Sequence, residues 1–290
     1  MLLNTYEPWK FAFSAETDFE NIEEDSFGII GVPFDSTTSY HSGSRLGPIV
    51  VREASFGFEK YNTVFNKELS TVFYDFGDVN VVPGNCEATC GIVEDTVNEL
   101  IALDIKPIII GGEHSASIGA IKALSEKYDK LTVIHLDAHR DLAFEFIGEK
   151  YSHATVMRRA HEFGADLIQI GIRSSSEDEE LFVKSTYNIQ TFRNKDARKH
   201  MDALEYYLTN VEGPIYISVD MDVFDPAIAP RVGNPTPSGL FVSDIEDILK
   251  TLVGKNVVGL DVVETASNRL GDSTAVVAAK IIYDFLTLIK

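Results

Sequence analysis

The chain has 290 residues, of which 44% are hydrophobic, and its formal net charge is −20 at pH 7. This length suits one large domain or two ordinary ones, and the apolar content supports a substantial core. The acidic balance argues against nucleic-acid binding, because phosphates require basic patches. It is typical of a soluble protein, and it is also compatible with steering a cationic substrate into a negative cleft.

The N-terminal segment, residues 1–26, is predicted to be an extension ahead of the main domain. Trp9 and several phenylalanines indicate that it packs on the body or on a neighbouring subunit. It has no basic region followed by a long apolar stretch, so it does not resemble a secretory signal. The sequence also lacks a run of about 18 apolar residues, which a membrane helix needs. We therefore expect a cytoplasmic protein without a membrane partner.

Eight apolar, β-branched segments predict eight strands. Most are continuously apolar, which is typical of parallel strands buried on both faces. They lie near residues 27–34, 71–77, 106–112, 131–137, 167–173, 187–192, 215–220 and 257–264. Helical patterns lie between or after them, at 86–103, 115–128, 155–164, 242–254 and 274–289. This alternation predicts a doubly wound α/β fold. No linker divides the chain, so residues 27–290 are assigned to one domain.

Three groups of metal-type ligands follow three of these strands. Within two groups the ligands are two residues apart, and such residues share one face of an extended strand. In an open α/β sheet, ligands bind beyond the carboxyl ends of the strands. If the strands are neighbours, four carboxylates and two imidazoles converge, a set suited to two divalent ions. These residues are His114, Asp137, His139, Asp141, Asp220 and Asp222.

Each group also has a structural interpretation. His114 alone fits a core or loop histidine, and Asp220 with Asp222 fits a turn or a helix cap. The group in "DAHRD" is harder to explain without cations, because closely packed carboxylates repel each other. Asp225 precedes a proline and indicates a turn. His135, two residues before the "DAHRD" motif, is interpreted as a core or supporting residue.

These motifs resemble those of the ureohydrolase family of arginases and agmatinases, over nearly the whole chain. Residues 111–115, 137–141 and 218–226 resemble its three metal motifs, in the family's order. Residues 31–55 resemble its N-terminal signature, and segments 151–160 and 261–264 resemble further parts of its active site. The resemblance implies a three-layer α/β/α domain around an eight-stranded parallel sheet, assembled as a homo-oligomeric trimer or hexamer.

The resemblance also implies two Mn²⁺ ions per chain. The first would be held by His114, Asp137, Asp141 and Asp220, and the second by Asp137, His139, Asp220 and Asp222. Carboxylate and imidazole ligands without thiolates favour manganese over a soft metal, although zinc and iron remain open by ligand type. The two cysteines, Cys86 and Cys90, have the spacing of neither a redox motif nor a zinc knuckle.

Three residues would carry the chemistry by this resemblance. Asp141 would accept a hydrogen bond from the attacking water while it binds metal. His153 would shuttle a proton to the departing amine, since a histidine titrates near working pH. Glu264 would pair with the guanidinium. The structural alternatives are a surface histidine for His153 and a turn or cap residue for Glu264.

The segment 142–152 is expected to face the far end of the substrate. It carries Glu145, Glu149 and Tyr151 and lacks the Asn and Ser positions of arginases, so an amine would be tolerated better than a carboxylate. We therefore predict hydrolysis of agmatine to putrescine and urea. The alternatives are arginase, guanidino-acid hydrolase or formiminoglutamase activity, a catalytically silent metal-binding subunit, and a phosphohydrolase.

Four departures from the family pattern bear on the substrate. Arg140 replaces a small residue and is expected to place a large cation beside the metals. Ala154 replaces a glycine, Asn234 replaces a threonine, and the segment 265–272 lacks the common prolines. None of these changes removes a predicted ligand, so we expect metal binding and hydrolysis to survive.

Overall fold

The computed structural model of the protein describes residues 4–6, 9–18 and 21–289. Its centre is a parallel sheet whose strands are almost entirely buried, which explains their continuous apolar sequences. The eight parallel strands are β2 (Phe27–Val32), β5 (Phe73–Val79), β6 (Lys106–Gly111), β7 (Thr132–Leu136), β8 (Asp166–Ile172), β9 (Ile189–Arg193), β10 (Ile215–Asp220) and β11 (Val257–Val263). The predicted eight-stranded parallel sheet is therefore confirmed.

Three short strands complete the sheets of the described residues. β1 (Thr5–Tyr6) pairs antiparallel with β5 and adds a ninth strand at the edge, which the sequence did not predict. β3 (Tyr61–Asn62) and β4 (Lys67–Glu68) form a separate hairpin. The strand order in the main sheet is β1-β5-β2-β6-β11-β10-β7-β8-β9.

Helices cover both faces of the sheet. They are α1 (Gly47–Ser55), α2 (Cys86–Ala102), α3 (Ser117–Lys127), α4 (Val156–Glu162), α5 (Glu177–Ser185), α6 (Asn194–Lys199), α7 (Met201–Thr209), α8 (Val242–Thr251) and α9 (Ser273–Leu288). One core packs α1, α7, α8 and α9 against the sheet, and a second packs α2, α3 and α4 against the opposite face. This is the predicted three-layer α/β/α arrangement. None of the described helices is long and apolar enough to span a membrane.

The described part of the N-terminal extension lies on the body of the protein. Phe11 is buried against Phe73, with ring centroids 6.2 Å apart, and its backbone N–H donates to Asp75 at 2.7 Å. Trp9 and Phe13 remain about half exposed, at 50% and 43%. Residues 1–3, 7–8 and 19–20 of the predicted extension lie outside the described residues. The boundary at residue 26 stays a prediction.

A buried ion-pair cluster joins α1 to β5 beneath this extension. The side chain of Arg52 is fully buried, and it donates to Asp75 at 2.7 Å and to Asp78 at 2.5 Å. An Arg52→Met variant would leave two carboxylates buried without a counter-charge. We expect its free energy of unfolding, measured by urea denaturation, to fall by about 3–5 kcal/mol. Lys60→Met is the control, because Lys60 and Glu68 are 57% and 63% exposed in their ion pair, and its expected loss is below about 1 kcal/mol. Equal losses in the two variants would contradict this prediction.

Candidate active site

The strand order brings the predicted ligand groups together. The four strands β6, β11, β10 and β7 are consecutive in the sheet. Val219 pairs with Leu136, so Asp137 comes level with Asp220, and Asp220 pairs with Val263, so Glu264 lies one residue beyond that level. His114 lies in a short 3₁₀ turn that follows β6. All of these side chains therefore meet at the carboxyl edge of the sheet.

The first ligand group surrounds the imidazole of His114. Its Nδ1 atom lies 2.9 Å from Asp141 Oδ2 and 3.3 Å from both Asp137 Oδ2 and Asp220 Oδ2. This Nδ1 atom is buried and has no hydrogen-bond partner among the described residues. The opposite ring atom, Nε2, lies 2.9 Å from Ser218 Oγ, which fixes the ring so that Nδ1 faces the carboxylates. A cation fits between these donors.

The second ligand group shares Asp137 with the first. His139 Nδ1 lies 2.8 Å from Asp222 Oδ2 and 3.5 Å from Asp137 Oδ1. Backbone N–H groups hold the carboxylates in place, with Ala138 donating to Asp222 at 3.0 Å and Asp222 donating to Asp220 at 2.8 Å. The two groups thus lie side by side, with one oxygen of Asp137 directed at each.

The pKa values of these residues reflect crowded negative charge. Burial and the carboxylates of Asp222 and Asp137 raise the pKa of Asp220 well above its usual value. Burial and Asp137 raise the pKa of Asp222 to about 6. Burial lowers the pKa of His139, but Asp222 and Asp137 outweigh it and raise the value to about 12. The crowding thus favours the protonated forms of Asp220, Asp222 and His139, and oxygen and imidazole donors of this kind suit divalent ions such as manganese.

Glu264 follows β11 and is directed toward the same edge. It is buried, it adopts a left-handed backbone conformation with φ 64°, and burial raises the pKa of its carboxyl well above the usual value. Its Oε1 accepts the N–H of His114 at 3.0 Å, whereas Oε2 is buried without a partner. A Cβ at Gly233 would lie 2.5 Å from this Oε2, so glycine at that position makes room for the carboxylate. Strained, unpaired groups of this kind occur at functional sites.

His153 is held by two residues that the sequence did not single out. The hydroxyl of Thr37 donates to Glu113 at 2.5 Å, and it accepts the backbone N–H of His153 at 3.0 Å. His153 Nδ1 lies 3.2 Å from the same hydroxyl. Since the single hydroxyl hydrogen goes to Glu113, Nδ1 must carry the ring hydrogen and donate it to Thr37. The other nitrogen, Nε2, is left free of this interaction.

The structure corrects the expectation for Arg140. Residues 138 and 140 alternate with the ligands along the chain, so the side chain of Arg140 leaves on the opposite side. Its guanidinium is buried and donates to Glu180 at 2.7 Å, to Gln169 at 2.8 Å and to Thr191 at 3.1 Å. The cation is therefore neutralised away from the ligand groups rather than placed beside the metals.

A cavity of about 440 Å³ opens above the ligands. Most predicted site residues line it, together with Ala154 and Asn234, while Asp137 lies buried beneath. Of the segment 142–152, Phe146 lines the cavity, and Glu145, Glu149 and Tyr151 do not, which corrects the expectation that they face the substrate. Asn234 exchanges hydrogen bonds with Ser39. Further lining residues are Tyr40, Phe146, Ser175 and Glu179.

Two other residues have structural roles at this edge. Asp225 accepts N–H groups from Ala227 at 3.0 Å and from Ser238 at 2.9 Å, in keeping with the turn predicted for it. Arg173, to which the sequence assigned no role, donates to the backbone carbonyls of Asp222 at 2.6 Å and Thr236 at 2.7 Å. It thereby ties the chain after β10 to the loop on the far side of the cavity.

We expect the ionisation of Glu180 to make the free energy of unfolding depend on pH. The hydrogen bond from Arg140 lowers the pKa of Glu180 from 4.5 to about 2. A carboxyl with a lowered folded-state pKa stabilises the fold above its unfolded pKa, and this contribution is lost as pH falls through the folded value. Compared with wild type, a Glu180→Gln variant should lose about 2 kcal/mol at neutral pH, because buried Arg140 loses its counter-charge. The difference should narrow as pH falls from 4.5 toward 2. Urea denaturation of both metal-free proteins across this range checks it, and a difference independent of pH would contradict it.

Comparisons with known proteins agree with an active site of this kind. The profile of the Arginase family matches residues 25–287. The chain belongs to the arginase family. It is accordingly an enzyme that hydrolyses C–N bonds of linear amidines, in a family that typically depends on a binuclear metal centre.

Individual relatives cover nearly the full length. The chain is 41% identical to an uncharacterised 32.2 kDa protein of Methanothermus fervidus, over 91% of this chain and 92% of the relative. It is 35% identical to the N(1)-aminopropylagmatine ureohydrolase of Thermococcus kodakarensis, over 97% and 95%. Among solved structures, the agmatine ureohydrolase of Thermoplasma volcanium superposes with a TM-score of 0.86, at 34% identity, covering 97% of this chain and 94% of that one.

Proposed function

We propose that this enzyme hydrolyses agmatine to putrescine and urea, with two Mn²⁺ ions bound. The observation that carries the proposal is the unpartnered, buried Oε2 of Glu264 beside the two ligand groups. A buried carboxylate oxygen without a partner is stabilised by protonation or by a cation, and a guanidinium offers N–H donors and a positive charge to such a group. A substrate held there would present its central carbon at the edge of the sheet where the ligand groups lie.

The described residues bring six donor side chains together, which supports the binding of two ions. His114, Asp137, Asp141 and Asp220 would hold one, and Asp137, His139, Asp220 and Asp222 the other. When bound, divalent ions of this kind lower the pKa of water and make it a nucleophile near neutral pH. Asp141, the residue closest to His114 Nδ1, would also accept a hydrogen bond from that water.

His153 would move the proton that the departing amine needs. Its Nδ1 is engaged with Thr37, and the residue lines the cavity, so Nε2 is the atom left to exchange a proton with substrate. Thr37 and Glu113 keep the ring oriented and support a positive charge on it, because Glu113 is a carboxylate at the end of this chain of hydrogen bonds. Glu264, on the other side, holds the guanidinium in place.

The lining of the cavity favours an amine over a carboxylate. Arg140 lines it, but its guanidinium is already paired with Glu180. No lysine is among the lining residues described, so an α-carboxylate would lack a free cation there. Phe146 and Glu179 offer a ring face and a carboxylate, both of which attract an ammonium group. These features support agmatine over arginine or a guanidino acid.

A second candidate is N(1)-aminopropylagmatine, the substrate named for the relative from Thermococcus kodakarensis. It shares the guanidinium and carries a longer cationic tail. The cavity opens to solvent past Tyr40, which is 69% exposed, so a longer tail has a way out. The two amines can therefore be distinguished only by their relative rates.

The deciding experiment measures urea release by the Mn²⁺-loaded protein from four substrates. These are agmatine, N(1)-aminopropylagmatine, arginine and 4-guanidinobutyrate. We expect the highest kcat/KM with agmatine. A higher kcat/KM with N(1)-aminopropylagmatine would make that amine the proposed substrate and leave the proposed chemistry unchanged. Release of urea only from arginine and 4-guanidinobutyrate would overturn the conclusion that the cavity favours an amine over a carboxylate. No release from any of them, with two metals bound per chain, would indicate a formimino substrate or a silent subunit.

We further propose that the enzyme acts in the cytoplasm as a homo-oligomer, either a trimer or a hexamer. The resemblance to the family supports this assembly. Exposed apolar residues lie before, in and directly after α1, as an interface would require, namely Leu46, Ile49 and Phe56. Light scattering of the purified protein would give the mass, and a 32.1 kDa monomer at micromolar concentration would overturn the assembly.

A further inference from the structure

A buried chain of hydrogen bonds connects Arg140 to the shared ligand Asp137. Arg140 Nη1 donates to Gln169 Oε1 at 2.8 Å, and Gln169 Nε2 lies 3.1 Å from His135 Nδ1. His135 Nε2 lies 2.7 Å from Asp137 Oδ2. Gln169, His135 and Asp137 are fully buried, and Arg140 is 2% exposed. The chain crosses from β8 to β7 beneath the ligand groups.

Two hydrogen bonds with Arg140, one to its side chain and one to its backbone, fix the orientation of the Gln169 amide. A guanidinium only donates, so the atom that faces Arg140 Nη1 must be the amide oxygen. A carbonyl only accepts, and the backbone carbonyl of Arg140 lies 2.8 Å from Gln169 Nε2, which must therefore be the NH₂ group. A flipped amide would place donor against donor and acceptor against acceptor. The second hydrogen of this NH₂ group is then directed at His135.

The amide in turn selects the tautomer of His135. Because Gln169 donates to Nδ1, that ring atom must accept and cannot carry a hydrogen. The imidazole hydrogen therefore stands on Nε2, where it donates to Asp137 Oδ2. The other oxygen of Asp137, Oδ1, accepts the backbone N–H of His139 at 2.5 Å. With one donor on each oxygen, the carboxylate plane of Asp137 is held in one orientation.

We infer that Arg140, Gln169 and His135 are positioning residues that orient the carboxylate of Asp137 for metal binding by holding His135 in its Nε2–H tautomer. The inference rests on the proposed function in one respect, namely that Asp137 is a metal ligand. It gives Arg140, the large residue at a position where the family has a small one, a specific role at a distance from the metals. Hydrogen bonds that support ligands in this way tune metal affinity about 10–100-fold.

The test compares Gln169→Glu with wild type. The variant keeps the side-chain volume but presents an acceptor to His135 Nδ1, so the ring must carry a hydrogen there. ¹⁵N-histidine spectra of the metal-free proteins report the ring directly, and the chain has only seven histidines to assign, with His135→Gln identifying the signal. We expect an Nε2–H tautomer in wild type and a protonated Nδ1 in the variant. Titration with Mn²⁺ should show an affinity about 10–100-fold lower in the variant.

A matched pair at position 140 tests the role of that side chain. Arg140→Lys retains a group that only donates to Gln169 and should keep most of the metal affinity. Arg140→Met removes the donor and should lose affinity toward the level of Gln169→Glu. Unfolding curves of the metal-free variants show which changes act through stability alone. An Nδ1–H tautomer or an imidazolium in wild type, or equal Mn²⁺ affinity in Gln169→Glu, would overturn the inference. Since neither readout uses a substrate, failure to hydrolyse agmatine would overturn the proposed function and leave this inference standing.

Discussion

An Asp220→Asn variant is expected to lose most of its bound Mn²⁺ and to release urea from agmatine at least about 10³-fold more slowly than wild type. Asp220 Oδ2 lies 3.3 Å from His114 Nδ1, and Oδ1 accepts the N–H of Asp222. Asparagine can keep the second interaction through its amide oxygen, which leaves an NH₂ group, without a lone pair for a metal, in the place of Oδ2. Stabilisation by divalent ions is worth several kcal/mol in the transition state, which corresponds to this loss of rate. Metal analysis of the dialysed protein, together with urea assays, checks both parts.

The same substitution should not destabilise the metal-free protein. Burial and neighbouring carboxylates raise the pKa of Asp220 above its unfolded value, so its ionisation opposes folding as pH rises. Asparagine removes this ionisation, and urea denaturation at pH 7 should show equal or higher stability. Asp225→Asn is the control, because it makes the same change in a turn that follows β10 and should keep two ions bound. A fall in the stability of metal-free Asp220→Asn with unchanged metal content would show that Asp220 is structural.

The sequence predicts the candidate ligands because two simple regularities act together. Spacing by two residues orients side chains to one face, and parallel strands end at one edge of a sheet. The order of the strands in the sheet could not be predicted, because sequence periodicity does not determine it. The structure places β6, β11, β10 and β7 next to each other, and this is what brings His114 to Asp137, Asp141 and Asp220.

Residues that act through long-range hydrogen bonds were not predictable in this way. Thr37 and Glu113 are 76 positions apart, and neither follows a periodic pattern that points to His153. From its position in the motif alone, Arg140 is predicted to lie beside the metals. Its direction depends on Gln169 and Thr191 in strands β8 and β9, which receive the guanidinium. Local sequence thus predicts which residues lie at the carboxyl edge of the sheet. Contacts between strands determine which partner each of these side chains binds.

The left-handed conformation of Glu264 also has no signal in the sequence. Positive φ is usual for glycine and costs other residues about 1–3 kcal/mol, so the surrounding structure must impose it. Here the imposed conformation turns the carboxylate from the end of β11 toward His114 and into the space left by Gly233. The left-handed backbone at Glu264 and the glycine at position 233 have the same effect, because both leave Oε2 free to contact a substrate.

For this reason, a Glu264→Gln variant is expected to lower kcat/KM for agmatine by about 10²–10³-fold. Removing one partner of a buried charge pair costs about 2–5 kcal/mol, and the guanidinium would lose its counter-charge here. The fold should be little affected, because burial raises the pKa of Glu264 and so favours the neutral form of its carboxyl in the metal-free protein. Glutamine resembles that neutral form and can still accept the N–H of His114.

Glu179→Gln is the matched control for the charge of the cavity. Glu179 lines the same cavity, but its two oxygens already accept the N–H groups of Leu142 and Ser176, so neither is left for a guanidinium. The kcat/KM of this variant should change by less than about 10-fold, because it loses only a water-screened attraction to the ammonium group of the substrate. If both variants lost activity equally, the general negative field of the cavity would attract the substrate. If Glu264→Gln alone lost activity while still binding two Mn²⁺ ions, the effect would belong to the one carboxylate oxygen that the fold leaves unpaired.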